Sequence, residues 1–217
     1  MTMRVSAIWG VILTLASTLA CHAVPSGLNA MPTANVLNVG QATVVYDLNG
    51  SGKLYVPVGG TVVGTQTGLL FGLEAGLDKV TDKGAVYNTK WRIFGETLLT
   101  PAFAFGLQNM TPGEKSQPYL VATKSILPMR AGQISGGVIR IERENNIGME
   151  NIGMYGAGVF IGPVVVKADR VMGGIREGTS IGGGVTIKNL TIVYTLYNYV
   201  NIPDEHTVTL TYGTQAF

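Results

Sequence analysis

Cysteine is nearly missing from this sequence: there is one, Cys21, in 217 residues. That excludes a disulfide framework and any paired cysteine–histidine chemistry. Histidine is almost as scarce, with only His22 and His206, so a multi-histidine metal centre is excluded as well. A Ser–His–Asp arrangement would have to use His206, which stands beside Asp204 and Glu205 in a turn-like stretch, and a lone histidine there reads as a solvated surface residue. Charge is also short, at 13% of residues, about half the share of an ordinary soluble domain. The net charge of +2 leaves no strongly basic face, so nucleic acid is not an expected partner. No phosphate-binding loop, dinucleotide fingerprint or heptad repeat occurs. The sequence therefore gives no catalytic residue, no cofactor and no metal, and an enzyme is not expected.

What the sequence does contain is glycine, 30 residues of it, and a positive mean hydropathy of +0.30. The first 23 residues read as an export signal. Arg4 is the only charge there, Val5 to Ala20 is rich in Ala, Ile, Leu and Val, and Cys21-His22-Ala23 places small residues at the −3 and −1 positions of a cleavage site. Cleavage after Ala23 and lipidation at Cys21, after the imperfect lipobox Thr18-Leu19-Ala20, are the two alternatives. Residues 24–39 then form an extended N-terminal segment, and 40–217 one all-β domain.

From Gln41 onward the chain is a string of strand-like runs broken by turn chemistry such as Asn49-Gly50, Pro112-Gly113, Gly173-Gly174 and Pro203-Asp204. The runs expected as strands are 41–48, 53–65, 69–80, 85–95, 101–110, 118–127, 133–143, 155–162, 164–172, 180–187, 189–198 and 206–214. Many have the 9–11 residues that a tilted strand needs to cross a bilayer. The segment NIGMENIGM, 146–154, holds a short duplication and is expected to be a loop.

The clearest patterning lies in FGLEAGLDKVTDKGAVYNTKWRIFG, residues 71–95. Side chains two apart in a strand share a face, so Leu73, Ala75 and Leu77 fall on one side and Glu74, Gly76 and Asp78 on the other. In the second run Tyr87, Thr89, Trp91 and Ile93 oppose Asn88, Lys90 and Arg92. A three-residue loop, Asp82-Lys83-Gly84, sets Glu74 opposite Arg92 and Asp78 opposite Asn88, with Lys90 diagonal to both carboxylates. Glu74 and Asp78 together resemble a catalytic carboxylate pair, but these basic neighbours argue for salt bridges instead. The alternation returns in 139–142, where Ile139 and Ile141 interleave with Arg140 and Glu142. It returns again in 164–169, where the polar face carries Lys167 and Asp169.

Both charge signs on the polar face of one strand suit a narrow lumen, where buried charges must pair. The expectation is an all-β antiparallel meander closed into a transmembrane β-barrel of about 10–12 strands. Leu73, Leu77, Trp91 and Ile93 then face lipid. A structural or pore-lining charge ladder of Glu74, Asp78, Lys90, Arg92, Arg140, Glu142, Lys167 and Asp169 faces inward. The chain also ends on an aromatic, Phe217, as outer-membrane barrels do, although it is one residue out of phase with Val208, Leu210 and Tyr212. Against this, aromatics make up only 8%, few for two full girdles. The alternative is a secreted β-sandwich acting as a binding or matrix protein, whose strands alternate with the apolar face inward.

Gly27-Leu28-Asn29-Ala30-Met31-Pro32-Thr33-Ala34, followed by Gly40, resembles the G-L-x-x-x-P-T-A…G opening of bacterial outer-membrane barrels of the YjbH type, which are associated with exopolysaccharide production. GLEAGLDKV, YNTKWRIF and YLVATKSI are similar to strands of such uncharacterised barrels. The resemblance implies an outer-membrane location and an envelope-polysaccharide role, with outer-membrane lipid and the outer-membrane assembly machinery as partners. It carries over no catalytic residues. The YjbH-type proteins are much longer than this chain.

Overall fold

The computed structural model describes residues 28–38, 42–51, 57–81, 84–111, 115–126, 131–142, 148–174 and 177–213. The export signal and Phe217 lie outside these residues. The described chain is an antiparallel meander in one sheet. Its strands are β1 (Ala42–Ser51), β2 (Pro57–Gly68), β3 (Leu73–Thr81), β4 (Gly84–Phe94), β5 (Ala102–Met110) and β6 (Gln117–Ser125). They continue with β7 (Gly132–Glu142), β8 (Met149–Ile161), β9 (Val164–Met172), β10 (Gly178–Ile187), β11 (Leu190–Tyr199) and β12 (Glu205–Gly213). The only helical element among the described residues is a single 3-10 turn, Leu70–Gly72.

Each of the expected runs overlaps one of these strands, with ends that differ by a few residues, and 164–172 coincides with β9. The exception to the expected pattern is 146–154: Met149 to Met154 is not a loop but the first half of β8, paired residue for residue with β7 from Met149–Glu142 to Val159–Gly132. The duplication misleads because Gly-Met-Glu-Asn looks like turn chemistry, while the partner strand supplies a full ladder.

Consecutive strands pair throughout, and β1 also pairs with β12, from Thr43–Gly213 to Ser51–Glu205, so the strand order closes into a barrel. A closed order removes the unpaired edges that such a long meander would otherwise present.

The β3–β4 hairpin departs from its expected register. Thr81 pairs with Gly84, so the connection is two residues, Asp82 and Lys83, and the register shifts between Leu77 and Lys79. Asp78 is the extra residue of that bulge. The combined effect is that Glu74 stands opposite Lys90, not Arg92, and Gly76 opposite Asn88. A plain two-residue loop would have put charges opposite apolar groups; the bulge restores the phase, so the faces survive although the partners change.

The faces themselves are inverted relative to a water-soluble sheet. Glu74 and Lys90 are 0% exposed, whereas Trp91 and Tyr87 on the other face of the same strands are 50% and 49% exposed. The same holds around the ring. Val121 and Thr123 are buried while Leu120 is exposed, and Ser180 is buried while Ile181 is exposed. Thr195 is buried while Tyr194 and Leu196 are exposed. A β-sandwich has two packed sheets with apolar faces between them; here one sheet turns its apolar face outward.

Candidate functional site: the occupied lumen

The interior is filled by the chain's own N-terminal segment. Leu28, Met31, Thr33, Ala34 and Leu37 are all buried. Leu28, Met31 and Ala34 pack into a cluster with Ala102 and Ala104 of β5, Tyr119 and Val121 of β6, Ile139 of β7, and Ile152 and Met154 of β8. One arc of the inner wall is therefore apolar, and the segment turns its greasy side chains to it. This is ordinary core burial, worth about 25 cal/mol per Å² of apolar surface removed from water.

The other arc is polar, and it holds the segment's backbone. Asp169 Oδ2 accepts three backbone N–H bonds, from Asn29 (2.8 Å), Ala30 (2.8 Å) and Met31 (3.2 Å). Its other oxygen accepts from the Ser180 hydroxyl. Glu74 Oε2 accepts the Leu37 N–H at 2.9 Å, and Thr123 Oγ1 accepts the Ala34 N–H at 2.8 Å. The Asn35 amide donates to Gln133 Oε1, and the Asn29 amide to the Lys167 carbonyl and to Ser180. A non-regular segment has no ladder of its own, so its N–H groups must find side-chain acceptors when buried. The inward carboxylates of β3 and β9 provide them.

Glycines on the inner wall make the room. A Cβ on Gly156 would lie 2.6 Å from Leu28 Cδ1, and one on Gly182 would lie 2.7 Å from Asn29 Oδ1. A Cβ on Gly156 would also meet Asp169 Cβ at 2.6 Å and the Ala168 carbonyl at 2.7 Å, and one on Gly182 would meet Thr195 Oγ1 at 2.7 Å, so side chains at these inward positions would crowd both the segment and the wall.

The expected ladder residues divide into three groups. Glu74, Lys90, Lys167 and Asp169 do point inward, and Lys90 Nζ stands 3.7 Å from Glu74 Oε1, with both side chains fully buried. Arg92 keeps the same inward parity, half-buried beside Gly72, but its cross-strand partner is Ala104 of β5, so the expected Glu74–Arg92 pair is not formed. The Asp78 side chain lies outside the described part of the chain. Arg140 and Glu142 are corrected: Ile139 is buried and Arg140 is exposed, so at the end of β7 the isoleucines at 139 and 141 take the inward positions and the charged residues at 140 and 142 the outward ones. Parity running from Gln133 and Ser135, both buried, dictates this, and the apolar arc of the lumen accommodates it. Glu142 instead pairs with Lys115 on the outer rim at 2.6 Å, half in solvent.

Sequence reasoning missed the segment 28–38 as a lumen filler, and with it Asn29, Asn35, Thr123, Gln133 and Ser180 as its anchors. The signal was present in the apolar spacing of Leu28, Met31 and Ala34, but nothing local says that such a short run is enclosed. It also missed Asp47, buried on the inner wall, whereas Asn88, on the expected inward face with Lys90, is buried there too. Among the described residues no group of three or more His, Cys, Asp or Glu converges as a metal site would. No described helix is long and apolar enough to cross a membrane, which leaves crossing by strands open.

Leu28-Asn29-Ala30-Met31-Pro32-Thr33-Ala34, the described part of the motif that resembles the YjbH-type opening, is thus the stretch that occupies the lumen. No family model matches the chain, and no curated protein matches it.

Proposed function

We propose that the protein is an outer-membrane β-barrel with a structural, envelope-associated role, whose lumen is stoppered by residues 28–38 rather than open as a general pore. The observation that carries this reading is the inversion of faces: charged Glu74 and Lys90 inside, Trp91 and Leu120 outside. On β8 the outward positions Gly153, Tyr155, Ala157, Val159 and Ile161 carry no charge. Eight residue steps at about 3.3 Å span ~26 Å, or about 20 Å once the strand tilts by ~40°, close to the apolar band of such barrels. In water this band would be a contiguous apolar patch far larger than soluble monomers tolerate. In lipid it needs no cover. The envelope-polysaccharide part of the role rests on the resemblance of the 27–34 stretch.

The reading is tested by membrane fractionation followed by migration on a detergent gel with and without boiling. A folded barrel stays with the outer membrane and shifts on boiling. Recovery in the aqueous fraction with no shift would refute it. Leu120→Arg, on the outward face, is expected to cost about 2–4 kcal/mol of folding stability in lipid vesicles if position 120 lies near the midplane, and little if it faces water.

A further inference from the structure

The loop between β4 and β5, residues 95–101, carries Leu98 and Leu99 almost fully exposed, at 91% and 89%. Phe71 of the β2–β3 turn is 90% exposed, and Phe94 at the end of β4 is also exposed. These four sit on one rim, beneath β3–β6, and continue the outward face of Trp91, Phe103 and Phe105. We propose that this rim is a lipid-inserting foot: the loop at 95–101, with Phe71 and Phe94, enters the bilayer interface beyond the strand ends. The inference rests on the barrel being embedded in lipid.

Three observations point to lipid rather than water or a protein partner. First, the loop is drawn to the outside of the wall. Lys124 follows Leu120 and Ala122 on the outward face of β6, and its ammonium donates to the Thr97 carbonyl (2.6 Å) and the Leu98 carbonyl (3.0 Å). Second, the tip of the loop bonds several of its own polar groups internally, which lowers their cost at the edge of hydrocarbon. Thr97 N–H donates to the Thr100 carbonyl, and the Leu99 and Thr100 N–H groups both donate to Thr97 Oγ1. Trp91 Nε1 donates to the Phe71 carbonyl. Lys124 and Glu96 neutralise each other at 3.1 Å, and Glu96 also accepts from the backbone and hydroxyl of Ser125. Third, the opposite rim is built differently. There Arg140 is exposed, and Lys115–Glu142 and Arg170–Glu177 pair in solvent. Apolar tips on one rim and charged pairs on the other set the depth at which the barrel sits.

The test uses the full barrel reconstituted in phosphatidylcholine vesicles, with Cys21 replaced and a nitroxide at a single introduced cysteine. The three sites are Leu99→Cys on the foot, Leu120→Cys on the belt and Val200→Cys on the opposite rim. Power saturation with oxygen against a water-soluble nickel chelate reads lipid against water at each. The expected result is an oxygen-to-nickel ratio several-fold higher at 99 and 120 than at 200. A lipid-like 120 with a water-like 99 overturns the foot and leaves the barrel standing. A water-like 120 overturns the barrel reading itself, and the foot falls with it.

Discussion

Asp169→Ala is the perturbation that addresses the lumen most directly. The Asp169 carboxylate collects three N–H groups of the plugging segment on a single oxygen, at 2.8, 2.8 and 3.2 Å, and is itself only 3% exposed. Hydrogen bonds to a charged group contribute roughly 1.5–3 kcal/mol each, and three summed independently would reach about 4–9 kcal/mol. They share one acceptor and one short backbone segment, so they are not additive, and the range for stripping one member from a buried charged network, about 3–5 kcal/mol, is the better expectation. Beyond that the loss saturates, because a segment already driven from the lumen has no more bonds to lose. Asp169→Asn keeps a carbonyl acceptor of the same shape. Since charge-assisted bonds are about twice as strong as neutral ones, it is expected to cost only about 1–3 kcal/mol. The assay is urea unfolding in vesicles, joined to single-channel recording in planar bilayers and to protease protection of residues 28–38. Wild type is expected to be closed and protected. Asp169→Ala is expected to be destabilised, to conduct and to be cleaved near Met31, with Asp169→Asn between the two. An alanine variant that stays closed, protected and within about 0.5 kcal/mol of wild type would refute the claim that Asp169 holds the segment.

Other expectations follow from the same geometry. Lys90→Met should cost about 3–5 kcal/mol because it strands a buried carboxylate. Adding Glu74→Gln should recover part of that, with a coupling of about 0.5–3 kcal/mol in urea unfolding; strictly additive losses would show that the 3.7 Å pair is not an interaction. Gly156→Ala places a methyl group 2.6 Å from Leu28 Cδ1 and Asp169 Cβ and 2.7 Å from the Ala168 carbonyl and should destabilise by about 1–3 kcal/mol, whereas Gly183→Ala, with nothing within 4 Å, should be neutral in the same assay. At Glu96 burial pushes the carboxyl up, but the hydrogen bonds from Ser125 and Lys124, with the Lys124 charge, outweigh it and hold the group below its ordinary value. Its contribution to fixing the loop is thus present above the unfolded carboxyl range of about 4–4.5 and lost as pH falls through the depressed value. A nitroxide at position 98 should become mobile on that acidification, and Glu96→Gln should abolish the transition.

The sequence by itself determined the strands. Period-2 alternation and Gly, Pro and Asn breaks are local properties, so every expected run from 41 to 214 overlaps a strand. It also determined that the two faces differ in polarity, because alternation is written in the residues of one strand. It determined neither the pairing nor the side. The register of β3 on β4 depends on a bulge at Asp78, and a bulge is set by how both strands twist against their other neighbours, not by the hairpin's own residues. Which face goes in is a property of the closed ring. On β7 Ile139 and Ile141 take the inner side and Arg140 the outer, against the simple rule that charge goes inward, because Leu28, Met31 and Ala34 have made that arc of the lumen apolar. The enclosure of 28–38 was the least legible feature. Its anchors, Glu74, Thr123 and Asp169, lie 37, 89 and up to 140 residues away in the chain. A short segment with no regular backbone bonding is held only by partners that the tertiary structure brings to it.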